Sequence, residues 1–507
     1  MMITNDVIRP HRWGEAKNGS ILSFSKMSLN KKTILPSPAA TCNWTIIVTS
    51  LAFVVAQLDV SIVNIALPQI ADTYKVDISI LQWIVDGYTL AFAVLMLSAG
   101  NLSDLFGAKR LFQIGMLIFG VSSVACGLAT SSFFLIVARV FQGVGAATMI
   151  PSSLAILNHT FADTPSKRAK AIGMWTAAGS AAIAAGPIVG GILIKLSDWR
   201  FIFFINAPLC LAGILLTFRL EKQSKPTFVK KFDIPGQVAW MLSITLLIAA
   251  VIEWSKLGFT HPLVYGSILL GSISFIVFLV IENSVQYPML PLSLFNSGSF
   301  NVLLLLGAVL NGFYYGTVFI LSLYLQSILH YPALTAGLAF LPLTVGFVIS
   351  NLLSGNIINR YGIRIPILIG LTFFAFGFSG LVTAGMHTSF WQLSVPFLLI
   401  SLGMGLAVPA MTTGILSSVD KTLSGTASAA LNTVRQTAGA IGVAVFGAIA
   451  ADGGAAILHS ITVSITAAMV CIFLIIILSH TDIPGIKNRT NSYNPFFLDT
   501  MLIVVSK

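Results

Sequence analysis

Charged residues make up only 9% of this 507-residue sequence, where soluble domains carry about 25%. That shortage excludes a water-soluble enzyme or binding module, whose solvated surface needs charge. Cysteine is equally sparse. The four present, Cys42, Cys126, Cys210 and Cys471, lie far apart within or beside apolar stretches, which excludes a disulfide framework and a cysteine-ligated metal centre. The histidines, His11, His159, His261, His330, His387, His459 and His480, stand singly in loops, tail or helix ends, with no His-x-x-x-His spacing and no Glu beside them. A membrane-embedded enzyme is thereby left without a nucleophile, metal ligands or paired acids, and no cofactor is expected. The phosphate-binding Gly-x-x-x-x-Gly-Lys loop is missing too, so ATP is excluded as an energy source in this chain. No channel-type filter motif is present.

What the sequence has in abundance is apolar surface: 56% of residues are hydrophobic and the mean hydropathy is +0.91. A hydrocarbon core about 30 Å thick takes about 20 apolar residues per helical crossing. Runs of that length recur at 45–67, 79–99, 111–129, 133–156, 170–194, 200–219, 235–253, 263–281, 300–322, 333–356, 364–384, 390–413, 424–449 and 457–479. These fourteen spans predict an all-α polytopic membrane protein with short connections and no soluble catalytic domain.

Net charge of +11 invites a nucleic-acid reading, but the placement of the basic residues answers it. Of the 28 Lys and Arg, four (Lys75, Lys195, Arg200 and Lys256) fall in outer loops, and Arg139 and Arg435 fall inside spans. The remaining 22 lie on one side, among them Arg9, Lys31, Lys32, Lys109, Arg110, Lys167, Arg168, Lys170, Lys230 and Lys231. Positive loops stay cytoplasmic, so the excess charge reads as topology, with both termini inside and the chain in the inner, cytoplasmic membrane. The first 43 residues lack the apolar core and cleavage site of a signal peptide and read as a disordered basic tail.

An internal repeat organises the spans. Gly100-Asn101-Leu102-Ser103-Asp104-Leu105-Phe106-Gly107-Ala108-Lys109 matches Gly355-Asn356-Ile357-Ile358-Asn359-Arg360-Tyr361-Gly362-Ile363-Arg364, and Gly143-Val144-Gly145 with Pro151 echoes Gly403-Met404-Gly405 with Pro409. Spans 1–6 then correspond to spans 9–14, with two inserted between them, as in duplicated transporters. The expected division is a cytoplasmic tail at 1–43, a six-helix bundle at 44–220, a linker with two inserted helices at 221–299, a second six-helix bundle at 300–480 and a tail at 481–507.

An ionisable side chain in mid-bilayer costs roughly 2.5–3.5 kcal/mol on insertion scales, so each needs a partner, a water-filled cavity or a task. The clear cases are Asp59, Asp86, Arg139 and Arg435. At about 1.5 Å per residue the first three sit roughly 9–12 Å below the outer surface, which predicts one coupled cluster able to exchange protons. Spans 9–14 contain no acid. Between spans 2 and 3, Gly100 and Gly107 permit a tight turn, Asp104 is placed to cap the next helix, and Lys109 and Arg110 hold the loop inside.

That loop, read as a pattern, resembles the loop between helices 2 and 3 of the major facilitator superfamily, with Leu105 where Arg is usual. Three further segments resemble its fourteen-helix drug:proton antiporter branch. They are Leu58-Asp59-Val60-Ser61-Ile62-Val63-Asn64-Ile65-Ala66-Leu67-Pro68; Arg139-Val140-Phe141-Gln142-Gly143-Val144-Gly145; and Gly173 through Gly186-Pro187-Ile188-Val189-Gly190-Gly191, with Ala182 in place of a usual glycine. The resemblance implies a major-facilitator-like fold and a proton-coupled exporter of small amphipathic compounds, the multidrug efflux type, working by alternating access. It implies roles in proton transfer for Arg139, in the antiporter motif for Gly186, Pro187, Gly190 and Gly191, and in a polar stretch for Asn432, Arg435 and Gln436. A dedicated exporter of one metabolite, such as a siderophore or lipid-like compound, stays open, as does a proton-coupled importer. The expected partners are a small-molecule substrate, protons and the lipid bilayer, and no nucleic acid; the sequence does not decide whether a periplasmic adaptor joins them.

Overall fold

With no water in hydrocarbon to satisfy backbone N–H and C=O groups, a long apolar segment must pair them internally, and the helix does so within one segment. A computed structural model describes residues 38–162, 164–220, 233–286, 288–420 and 423–482, and among them no strand occurs. The helices are α1 (Pro38–Tyr74), α2 (Ile78–Phe106), α3 (Ala108–Gly127), α4 (Ser132–Thr160), α5 (Pro165–Leu196), α6 (Phe201–Phe204), α7 (Asn206–Thr217), α8 (Ile234–Leu257) and α9 (Pro262–Ser284). They continue as α10 (Gly298–Leu323), α11 (Ala333–Ala339), α12 (Leu341–Tyr361), α13 (Arg364–Gly380), α14 (Phe390–Ser417), α15 (Ser424–Ile449) and α16 (Ala455–Asp482).

Among the described residues, eleven helical segments are long and apolar enough to cross a membrane, or twelve if the bent α5 is one span. The expected count of fourteen also needs the shorter apolar segment Phe201–Thr217 and α15, whose Asn432, Arg435 and Gln436 lower its hydropathy. Helix ends run past the expected bounds: α1 starts at Pro38, inside the stretch read as a tail, and α16 continues to Asp482. The rest of both tails, and the basic segment 221–232, lie outside the described residues.

The largest correction concerns the loop after span 2. Residues 100–106 are helical, and Gly107 alone separates α2 from α3. Its φ of 86° lies in the left-handed region that a side chain disfavours, and its N–H bonds the Ser103 carbonyl, so one residue makes the whole turn. Asp104 therefore stands in the last turn of α2, and the N-cap position of α3 belongs to Gly107. The second copy turns the same way: Gly362 has φ of 75° and its N–H bonds the Ile358 carbonyl.

Two sets of helices pack by one plan. In the first, α1 meets α4, α5 and α7, while α3 meets α4 and α7, and α2 meets α4. In the second, α10 meets α14, α15 and α16, while α13 meets α14 and α16, and α12 meets α14. Between the sets, α2 lies on α15 and α5 on α11 and α12. The α8–α9 hairpin packs through α8 on α2 and α15, and α9 leaves Leu269, Leu270, Ile276 and Val280 exposed.

Prolines help join the helices. Pro68 removes the N–H that would bond the Asn64 carbonyl, and Ser322 of α10 donates its hydroxyl to that carbonyl at 2.5 Å instead. Pro187 likewise frees the Ile183 carbonyl, which accepts from Ser61 of α1 at 2.6 Å, and α5 bends by 43° there.

Candidate functional site

Asp59 is fully buried between α1, α4 and α7. Its Oδ2 pairs with Arg139 Nη1, and its Oδ1 accepts from Gln142 Nε2 at 2.7 Å and Asn206 Nδ2 at 3.0 Å. Arg139 is spread over further acceptors, the Gln142 Oε1 at 2.8 Å and the Ile84 carbonyl at 3.1 Å. Its guanidinium carbon sits 4.4 Å from the Tyr88 ring centroid, a cation–π distance. Gln142 and Asn206 also donate to Ser123 Oγ at 3.2 and 3.0 Å, and Ser123 donates onward to the Phe203 carbonyl at 2.8 Å. The network thus ties α1, α2, α3, α4 and α7 around one carboxylate.

Asp86 is not part of it. Arg139 reaches α2 at Ile84, and two residues further along a helix the side chain has turned by about 200°. Asp86 lies between Gln82, which donates to the Val443 and Ala444 carbonyls of α15, and Leu90, which shares a core with Trp240 of α8 and Ala440 and Ala444 of α15. Its carboxylate is enclosed with neither oxygen hydrogen-bonded among the described residues. The expected three-membered cluster is therefore a pair with amide partners, and Asp86 occupies a separate face at the same level.

Gln142 was legible from the sequence, three residues after Arg139 and so on its helix face. Asn206 and Ser123 were missed. Asn206 follows the break at Ile205 between α6 and α7, and a lone amide in an apolar run was its signal.

The glycine motif on α5 faces two ways. A Cβ on Gly190 would meet Ile62 Cγ1 of α1 at 2.8 Å, and one on Gly186 would collide with Ser61. A Cβ on Gly191 would stand 2.8 Å from the Ala333 carbonyl of α11, while Gly337 of α11 packs on the Pro187 carbonyl. The motif thus joins α5 to its own set and to the other. With Gln82, Ser322 and Gln326, which donates to the Ile65 carbonyl at 3.1 Å, it closes the end of the molecule where α1 finishes and α2 begins.

At the opposite end, Lys109 Nζ donates to the Leu220 carbonyl at 2.7 Å, tying the start of α3 to the chain after α7. Arg110 is exposed. Gly100 and Asp104 are placed by their helical backbone alone.

On α15, Asn432 donates to the Ser428 carbonyl of its own helix at 3.0 Å. Gln436 lines a closed cavity of about 10 Å³ between the two sets, with Asn64, Val85, Thr89, Tyr315 and Val443. Arg435 makes no hydrogen bond or ion pair among the described residues, and its Nε is enclosed without an acceptor. Among the helices' aromatic side chains, Tyr315 lines this cavity. Others have structural partners: Trp83 donates to Glu253 at 2.9 Å, Trp175 stacks on Phe53 at 4.0 Å and Tyr324 donates to the Gly385 carbonyl at 2.7 Å.

Comparison with known proteins agrees with this architecture. The chain is 33% identical over 461 residues to the methylenomycin A resistance protein of Bacillus subtilis (strain 168), covering 88% of this chain and 97% of that one. It is 33% identical over 409 residues to the multidrug resistance protein Stp of Mycobacterium tuberculosis (strain CDC 1551 / Oshkosh), covering 80% and 75%. In structure it is similar to the inward-open xylose transporter XylE from E. coli, with a TM-score of 0.61 at 13% identity over 88% of this chain and 97% of that one, a likeness of fold alone. The profile of the Major Facilitator Superfamily matches residues 49–443. With its repeated helix packing and multiple apolar helices, the chain is a multi-pass membrane transporter belonging to the Major Facilitator Superfamily.

Proposed function

We propose that this transporter is a proton-coupled antiporter that exports small amphipathic compounds by alternating access. The observation that carries the reading is the buried Asp59 network. Protonating Asp59 removes its bond to Arg139 and disturbs the donors from α4 and α7 together, so a proton on one carboxyl is felt by the packing of the first helix set. The relatives' names support export: two are the resistance proteins above, and others are the puromycin resistance protein pur8 of Streptomyces alboniger and the tetracenomycin C resistance and export protein of Streptomyces glaucescens.

The matched packing of the two sets supports a plan of six, two and six spans, fourteen in all, with both termini in the cytoplasm. The closed α1–α2 end then faces outward. In the cycle we propose, protonation at Asp59 from outside permits the sets to rock, and release inside accompanies substrate binding. Asp86 is a second candidate for proton exchange, on the α8 and α15 side of α2.

Asp59→Asn keeps the size of the side chain and removes its charge. Proton-driven export in liposomes should fall to background in this variant, while downhill substrate exchange persists; full proton-driven export would sink the proposal. Several relatives are named for a single antibiotic, which favours a dedicated exporter as the second reading. A panel of unrelated dyes and biocides separates the two: resistance to several classes supports multidrug export, and resistance to one compound supports the dedicated form.

A further inference from the structure

We infer that Arg435 is a recognition site for the acidic group of the substrate, so that the favoured compounds are amphipathic acids, with a carboxylate or similar anion on an apolar body. This rests on the export reading above and narrows it. Among the described residues two guanidinium groups, those of Arg139 and Arg435, lie well inside apolar helices rather than at their ends, and they differ in what they meet. Arg139 has a carboxylate, a side-chain amide and a backbone carbonyl. Arg435 has none of these, and spans 9–14 hold no acid that could reach it. The titratable group that faces it is the Tyr315 phenol, which also lines the cavity between the two sets.

Asp86, the other group without a partner among the described residues, has no exposed surface, whereas Arg435 keeps part of its surface exposed although its Nε is enclosed. Exposure therefore decides between them: the unpaired charge within reach of a ligand is positive. Arg435 does not itself line the cavity but stands beside Gly307 of α10, and Tyr315 links it to a cavity whose other groups suit a polar ligand. Gln436 is its neighbour in sequence, and Asn64, whose Oδ1 has no partner, and Thr89 line the same cavity. A guanidinium offers five N–H donors in a planar fork that matches a carboxylate with two parallel bonds. Space for about one water in the closed cavity means that binding accompanies separation of the helix sets.

The test is equilibrium binding to purified protein in detergent, with 1-naphthylacetate and its methyl ester as a charged and neutral pair that differ by one methyl group. The expected result is at least about tenfold tighter binding of the acid by the native protein, as for a charge-assisted pair. Arg435→Gln should lose that preference with ester binding unchanged, and Arg435→Lys should keep part of it. Asn432→Asp, one turn away at a neighbouring helix position, supplies an internal counterion and should also lower the preference, which keeps the test informative if Arg435→Gln does not fold. Equal binding of acid and ester by the native protein, or equal weakening of both by Arg435→Gln, would overturn the inference. Export is read separately in liposomes: an acid preference without proton-driven export of any compound refutes the antiport reading alone, and export of esters or cations without that preference refutes the inference alone.

Discussion

A carboxylate buried among amides depends on its donors as much as on its counterion. Asn206 serves both Asp59 and Ser123, so Asn206→Leu removes a donor from a buried acid. It is expected to cost about 1–3 kcal/mol, the penalty for leaving such groups unsatisfied, seen as earlier thermal unfolding in detergent. Unchanged unfolding would mean that Asp59 is held by Arg139 and Gln142 alone. The pairing of Asp59 with Arg139 was legible because depth along a helix follows from counting residues. The exclusion of Asp86 was not, because depth says nothing about azimuth until the neighbouring helices are placed. Outside the spans, Asp77 at the N-cap of α2 shows the opposite balance. Burial would raise its carboxyl, but the Ser79 hydroxyl, the Lys256 ammonium and the Ile80 N–H outweigh that and hold it below the ordinary range. A lowered folded value means that its contribution is present above the unfolded carboxylate pKa and is lost as pH falls through the folded one. Asp77→Ala should cost about 1 kcal/mol, a typical cap loss, at neutral pH, and the gap from native protein should close on acidification.

Helices α1 and α5 show how one motif serves two interfaces. The bend between Ile183 and Ala185, one turn before Pro187, and the small side of Gly186 and Gly190 let α1 approach, and the Gly191 side admits α11. The sequence pattern announced close packing, since small residues bring helix backbones together; which helices meet there came from the fold. Gly191→Leu is expected to pry α5 from α11 and open the α1–α2 end. With a cysteine placed at Ser322, whose native hydroxyl bonds the Asn64 carbonyl, maleimide labelling should quicken in that variant. Labelling at the native rate would show that the contact does not hold this end shut. The turn after α2 makes the contrasting case. A glycine-bounded segment reads as a loop, but residues between the glycines favour helix once Gly107 alone can take the left-handed turn.

For the molecule as a whole, the proposed plan of fourteen spans requires the segment 221–232 and both termini to lie on one side. A green fluorescent protein fused after Lys507 or inserted within 221–232 should fluoresce, as it folds in the cytoplasm, and alkaline phosphatase at the same positions should be inactive. Opposite results at the two positions would remove the six-plus-two-plus-six plan. The sequence by itself determined the solvent, since so little charge cannot cover a soluble surface, and it crowds basic residues into one set of connections, the basis for the proposed orientation. It determined the repeat as well, because matching turn glycines allow matching turns: Gly107 and Gly362 both take a positive φ. Tertiary structure decided which polar groups are partnered. Asp59 and Arg139 find each other across α1 and α4, while Asp86 and Arg435 have no ion partner among the described residues, because that outcome depends on the rotation of each helix about its axis. That rotation is set by packing against neighbours, a property no single helix carries in its own sequence.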